Sequence, residues 1–270
     1  MPSPSTWRAD LAKKSPRPAP DDDDDFSDLD PGTDENNEET SAPEAGGGKR
    51  VIWSHGVCFP KNLNILRPRI RQALRANTYE RKETDAVLRI VKSDDRVIEL
   101  GGGIGYMSSV IAKRCGAEVH SFEGNPGLIP YIREVHEANG LTGKAHITHA
   151  LIGPRKSSAN FYVRGNILAS SMEEMETMPH TEVAKVDVLN AKTTFDKIKP
   201  TVLVCDIEGA EAHLIPQLPL DGLRAAVLEL HPQWIGQEGV QAVFDAFHAA
   251  GLTYFPKASE AKVVTFLKGW

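Results

Sequence analysis

RVIELGGGIGYMSSVIAKRCG, Arg96 to Gly116, is the stretch on which the fold turns. RVIEL (96–100) reads as a strand and GGGIG as a turn. YMSSVIAKRC reads as a helix closed by Gly116, because glycine takes the left-handed conformation that a helix end favours. Downstream, AEVHSFE (117–123) is a second strand. Pro126 opens a helix, PGLIPYIREVHEANG, that stops at Asn139-Gly140. AHITHALI (145–152) is a third strand, and alternation then lapses over 155–190, where ANFYVR and TEVAKVDVL look like short strands around a polar, Met-rich loop. TTFDKIK is a helix leading into the strand VLVCD. A helix from Ala210, the strand AAVLEL (225–230), a helix near Glu238 to Ala250 and the strands TYF and KVVTFL complete the chain. Upstream, Asn62 to Val91 reads as helix, with Ala86, Val87, Leu88, Ile90 and Val91 on a buried stripe. Strands that alternate with helices predict an α/β fold whose mostly parallel sheet is covered on both faces.

At 270 residues, 40% hydrophobic and 25% charged, the chain can bury one good core. Residues 1–50 are an appendage rich in Pro, Asp, Glu, Ser and Gly, including the run Asp21 to Asp25. They hold 6 Lys+Arg against 13 Asp+Glu, which leaves a nearly neutral body of 25 against 24 over 51–270. A like-charge run with few large apolar residues predicts a disordered, solvated tail; a docking arm for a protein partner is the alternative. Neither part offers the net basic face that nucleic acid requires. No segment reaches the ~18 apolar residues of a transmembrane helix, and MPSPSTWRADLAKKSPRP lacks the apolar core of a signal peptide, so a cytoplasmic location is expected. Cys58, Cys115 and Cys205 have no metal-type spacing.

The glycine turn narrows the ligand. Gly101, Gly103 and Gly105 sit where a strand meets a helix, and glycine there lets a backbone approach a ligand closely. The dinucleotide fingerprint needs Gly or Ala where this chain has Tyr106, and no Gly-Lys-Ser/Thr follows for a phosphate loop. Glu99, just before the turn, would repel a pyrophosphate but suits an ammonium group. Glu123 ends the second strand 22 residues past Gly101, the distance at which an acid meets ribose hydroxyls. Ribose, a free amino group and no phosphate describe S-adenosylmethionine.

The chain here resembles a class I S-adenosylmethionine-dependent methyltransferase, and more narrowly the FkbM family. The likeness rests on TYERKE (78–83), VIELGGGIGYMS, HSFEGNP, DIEGAE and LELHP, and it covers roughly residues 75 to 266. It implies a Rossmann-like sheet of seven strands, a Gly101–Gly105 loop that carries the methionine part of the cofactor, and Glu123 on the ribose. Many relatives have Asp at the place of Glu99 and Ala-Asn in place of Gly102-Gly103. Tyr79-Glu80 is placed either to close over the cofactor or to lie on a helix surface.

TVLVCDIEGAEAHLI (201–215) ends a buried strand in acids, and a strand tolerates acids where it surfaces. In open α/β sheets that exit is where ligands bind. Asp206 and Glu208 stand two apart, as do Glu229 and His231 on the next strand, so four polar side chains are expected at one rim. An alcohol acceptor needs its proton removed, and two mechanisms fit: His231 or Asp206 as general base, or Asp206, Glu208 and Glu229 or His231 around a divalent ion. Two acids and a His without a spaced His pair are a weak ligand signature, so no resident metal is expected. Glu208 is alternatively a helix cap, and Glu211 is read as helix surface. His55 and the LASSMEE segment (168–174) are placed to line the substrate side. His120, His146 and His149 are read as core or rim histidines. The expected function is O-methylation of a hydroxyl on a small molecule or glycan. N-methylation of an amine or protein, and a non-catalytic adenosyl-ligand-binding module recruited through the acidic tail, are the alternatives.

Overall fold

The computed structural model describes residues 50–164 and 180–270, so the acidic tail and LASSMEE lie outside the described residues. A hairpin, β1 (Val51–Ser54) and β2 (Val57–Pro60), is followed by α1 (Pro68–Ala76) and α2 (Arg81–Ile90). The core then alternates: β3 (Arg96–Leu100), α3 (Tyr106–Val110), β4 (Glu118–Glu123), α4 (Ile129–Ala138) and β5 (Ala145–His149). Next come β6 (Leu151–Gly153), β7 (Ser157–Arg164) and β8 (His180–Asn190). After them the chain runs through α5 (Ala191–Ile198), β9 (Val202–Cys205), α6 (Glu211–Leu214), β10 (Ala225–Glu229), α7 (Pro232–Ala249), β11 (Thr253–Tyr254) and β12 (Val263–Leu267).

Seven strands form the main sheet in the order β11-β12-β10-β9-β3-β4-β5. β5, β4, β3, β9 and β10 are parallel, and β12 runs antiparallel to both β10 and β11. The fold is therefore the Rossmann-like, seven-stranded, mostly parallel α/β sheet that the sequence predicts. It differs from the dinucleotide-binding order, in which six strands run on without an inserted antiparallel one. The chain leaves β3 for β4 on one side and returns to β9 on the other. The crevice at the carboxyl ends of β3 and β9 is thus the topological switch point, where open sheets bind ligands.

Strand period two sends alternate residues to opposite layers. Val97, Val119, Val204 and Val227 pack on one face with Val87, Ile90, Val110 and Val135 of α2, α3 and α4. Ile98, Phe122, Leu203 and Leu228 pack on the other with Phe195, Leu214, Val243 and Phe247 of α5, α6 and α7. At the amino ends of the strands, buried Asp95 pairs with Arg224 and accepts from Thr201 Oγ1 at 2.8 Å, fixing β3, β9 and β10 in register away from the ligand edge.

Three expectations change. The stretch from Asn62 to Val91 is two helices, because Pro68 starts α1 at a first-turn position and Asn77, left-handed at φ 56°, ends it. AHITHALI is not one strand: the chain leaves the main sheet after His149, and β6 joins a separate three-stranded sheet of order β6-β8-β7. The helix near Glu238 begins at Pro232 and bends at Gly236, φ 66°, so the register that places its start is interrupted by a glycine. The short hairpin β1–β2 adds an element that the sequence pattern does not announce.

Candidate active site

The glycine turn and the end of β9 are in contact. Asp206 N donates to Leu100 O at 2.9 Å, and Gly101 N donates to Phe122 O at 3.0 Å, tying the three strand ends together. Gly101 has φ 90°, and a β-carbon there would lie 1.8 Å from the backbone oxygen of Asp206. Gly105, φ 74°, would meet Ile132 at 3.1 Å. Only Gly103 of the three opens outward, with φ 51° and nothing within 4 Å of a β-carbon. The three glycines therefore have different surroundings: Gly101 and Gly105 admit neighbouring parts of the protein, and Gly103 faces open space.

Glu123, buried at the end of β4, braces that turn. Its Oε2 accepts from Gly103 N at 3.0 Å and its Oε1 from Asn125 N at 2.6 Å. Burial raises its pKa and these backbone donors pull it down. The N–H groups of Gly102 and Gly124 also lower it, so the carboxylate is gathered into the backbone of the turn on one side and of the β4 end on the other. Glu99 is 1% exposed and accepts from Ser121 Oγ through Oε2, while its Oε1 has no hydrogen-bond partner. Burial pushes its pKa up to about 8, against the lowering effect of Ser121. The N–H and hydroxyl of Ser108 lower it as well, while Oε1 stays shut off from solvent at the foot of the turn. Tyr79 is buried, with its ring 5.0 Å edge-on from Tyr106, and not on a helix surface. Next to it Glu80 has φ 45°, and burial, followed by the charges of Glu83, Asp206 and Glu99, raises its pKa well above the usual range. His55 Nδ1 lies 2.8 Å from Tyr106 Oη, which places the β1–β2 turn over the start of α3.

The four rim residues do converge, around His231. Its Nδ1 is 2.8 Å from Glu211 Oε1, and its Nε2 is 3.3 Å from Glu208 Oε2 and 3.8 Å from Asp206 Oδ1. One ligand atom each from Asp206, Glu229 and His231 lie within 4.8 Å of one another, so at the rim these three are placed to hold a divalent ion. Burial alone would lower the His231 pKa. The hydrogen bond to Glu211 and the charges of Asp206, Glu208 and Glu211 outweigh it and hold the ring at about 10. A ring that holds its proton at neutral pH has no lone pair free to take another, which weighs against His231 of the two candidate bases. Asp206 is the other candidate. Burial first, then the charge of Glu208, lifts its pKa to about 8, opposed by His231. Its side chain is 40% exposed, yet Oδ1 is shut off from solvent and accepts no hydrogen bond. Glu229 is likewise raised to about 8, by burial and then by Asp206.

Glu208 does not continue the strand. β9 ends at Cys205, and Glu208 reaches His231 through a left-handed backbone, φ 50°, followed by Gly209 at φ 97°. No side-chain cap is made at the start of α6, whose N-cap is Ala210. Glu211 is not helix surface: it is 0% exposed and accepts from Gly209 N at 3.0 Å as well as holding His231. It is the first residue of α6, a place where an acid is ordinarily exposed, so the sequence carries no signal for its burial. Glu83 is a second residue that sequence reasoning missed, and its charge acts on both Asp206 and Glu229. Stepping back four residues from Val87 along the buried stripe of α2 lands on it.

These shifts fix how stability depends on pH. Glu99 and Glu229 rise to about 8 and His231 to about 10, so between roughly pH 5 and 9 the folded state binds more protons than the unfolded one. Their contribution is present below the unfolded values and is lost as pH climbs through the folded ones. The melting temperature should therefore fall from pH 6 to pH 9 in a buffer series at constant ionic strength. A rise over that window would contradict the buried, protonated acids.

No family model matches the chain, and no curated protein does. Among solved structures the chain is similar to precorrin-6y C5,15-methyltransferase from Geobacter metallireducens, at 11% identity over 70% of this chain and 88% of that one, TM-score 0.41. It is similar also to M. jannaschii TYW2 in complex with AdoMet, at 12% identity over 85% and 90%, TM-score 0.42. A third is the ribosomal protein L11 methylase of Lactobacillus delbrueckii subsp. bulgaricus, at 11% identity over 72% and 80%, TM-score 0.42. Likenesses this distant carry no functional assignment. No helix among the described residues is long and apolar enough to cross a membrane.

Proposed function

We propose that this chain is an S-adenosylmethionine-dependent methyltransferase of the FkbM kind that methylates a hydroxyl on a small molecule or glycan. The observation that carries the reading is the contact between Gly101 and the Asp206 carbonyl, which sets a carboxyl group directly beside the glycine turn. The residues present fit the cofactor: the buried Glu99 oxygen for its ammonium, the Glu123 carboxylate at the end of β4 for its ribose, and the open side of Gly103. When bound, it supplies a methyl group activated by a sulfonium. Asp206, as carboxylate, takes the proton of the acceptor hydroxyl. His231, held by Glu211, is the fixed cation that keeps Asp206 and Glu208 at the rim. Calorimetric titration with S-adenosylhomocysteine, with NAD as control, tests the cofactor. Micromolar binding of the first alone supports the proposal, and no binding, or binding of NAD instead, overturns it.

Replacing Glu123 by Gln separates its two duties. A single amide oxygen cannot accept from both Gly103 N and Asn125 N, so the melting temperature should drop. Loss of a charged acceptor for the ribose should weaken S-adenosylhomocysteine by about 1–3 kcal/mol. A lower melting temperature with unchanged affinity would leave Glu123 a brace and remove it from the cofactor site.

A second acceptor class has an observation of its own. Glu83, Asp206, Glu208, Glu211 and Glu229 act on His231 or on one another, opposed by His231 and, at Glu229, by Lys262, a preponderance of acids that favours a cationic amine. Methyl transfer to amines and not to hydroxyls, in a labelled-methyl assay against both, would replace O- by N-methylation. Cofactor binding with no transfer to any acceptor would leave a binding module.

A further inference from the structure

β4 and β5 carry a second group of ligand-type side chains, separate from the rim. Their parallel register sets His120 opposite His146. Period two along β4 puts Glu118 on the same face as His120. The two imidazole rings stack at 4.9 Å with planes 27° apart. Both Nε2 atoms face one oxygen: Glu118 Oε1 is 3.0 Å from that of His120 and 3.5 Å from that of His146. All three donor atoms lie within 4.8 Å of one another.

We infer that Glu118, His120 and His146 form a site for a zinc-type divalent transition-metal ion that clamps the edge strand β5 to β4. Ligands at about 2.0–2.1 Å from a tetrahedral ion stand roughly 3.3–3.4 Å apart, and the two measured N···O distances bracket that separation. Little has to move. Two imidazoles and one carboxylate favour zinc, cobalt or nickel over magnesium or calcium, which prefer all-oxygen shells. Three protein donors leave a fourth position for water. The clamp is structural by its place: His120 precedes Glu123 by three residues, roughly 10 Å along the strand, so it lies away from the ligand edge. β5 closes the sheet on one side and its last two residues, Thr148 and His149, are exposed, so a cross-link to β4 would hold an edge strand in place.

The test is equilibrium dialysis of the tag-free full chain, stripped with chelator, against micromolar Zn²⁺, with bound metal counted and melting temperature read on the same samples. The expected result is one bound zinc per chain and a melting temperature raised by a few degrees. His120→Ala and His146→Ala should each lower zinc affinity by about tenfold or more and cancel that rise. The Asp206→Asn variant, altered at the rim, should keep the zinc. Glu118→Gln, at an exposed position, gives the same reading should either His variant fold poorly. No bound zinc in the parent chain, or full affinity retained in the Glu118 and His variants, overturns the inference.

Discussion

Asp206→Asn is expected to lower kcat by about 10²- to 10⁴-fold, the range that one positioned base supplies, while S-adenosylhomocysteine binds nearly as before. The substitution keeps the shape of the side chain and removes only its capacity to hold a proton. Because burial and Glu208 lift the Asp206 pKa to about 8, the group is largely neutral in the resting protein at pH 7. The amide therefore mimics a form the fold already accommodates, and the variant should be no less stable than the parent. The same pKa dictates the pH profile. Turnover of the parent should rise as pH passes through about 8, where the carboxylate becomes the dominant form, and the residual rate of the variant should lack that step. A variant that keeps parental kcat, or keeps the step, would take Asp206 out of the chemistry. One that loses cofactor affinity in proportion to turnover would make it a binding residue.

The parts of the fold that were legible are those where local pattern and global sheet agree. RVIEL, HSFE and VLVC are short apolar runs bounded by turns, and each became a strand whose odd and even residues enter different layers. AHITHALI misled because its apolar pattern continues smoothly across Ala150, while the chain changes sheets there. Nothing in a period of two records which sheet a strand will join. At the site, residues ending a strand were readable because an acid after an apolar run has few structural reasons to be there. The identities of Asp206, Glu229 and His231 as neighbours followed from strand order. Glu211 was not readable in the same way. It lies in an amphipathic context where an exposed acid is the common outcome, and only the tertiary contact with His231 explains its complete burial. The protonation of His231 was equally hidden, since it depends on three carboxylates brought in by a left-handed turn at Glu208 that no residue type announces.

Gly101→Ala and Gly103→Ala should separate fold from binding within two residues of one motif. At Gly101 the new β-carbon would lie 1.8 Å from the Asp206 carbonyl oxygen, and that atom is backbone held by the Asp206 N to Leu100 O hydrogen bond. It cannot swing away as a side chain would. Relief requires β3 and β9 to part at their carboxyl ends, and the left-handed conformation, φ 90°, adds its own penalty for a residue with a side chain. Strain of about 1–3 kcal/mol from the backbone together with about 1–3 kcal/mol or more from overpacking puts the loss at roughly 3–5 kcal/mol. That is a large share of the about 5–15 kcal/mol that holds a domain folded. At Gly103 a β-carbon meets nothing within 4 Å, so only the conformational cost of φ 51° applies, about 1–2 kcal/mol. The methyl group then occupies the side of the turn left open for the ligand. Denaturant melts should show Gly101→Ala strongly destabilised and Gly103→Ala mildly so, and titration should show Gly103→Ala weakened for S-adenosylhomocysteine well beyond its stability loss. Equal stability losses at the two positions would mean that the turn relaxes as a unit. Full cofactor affinity in Gly103→Ala would mean that the open side of the glycine turn is not where the ligand lies.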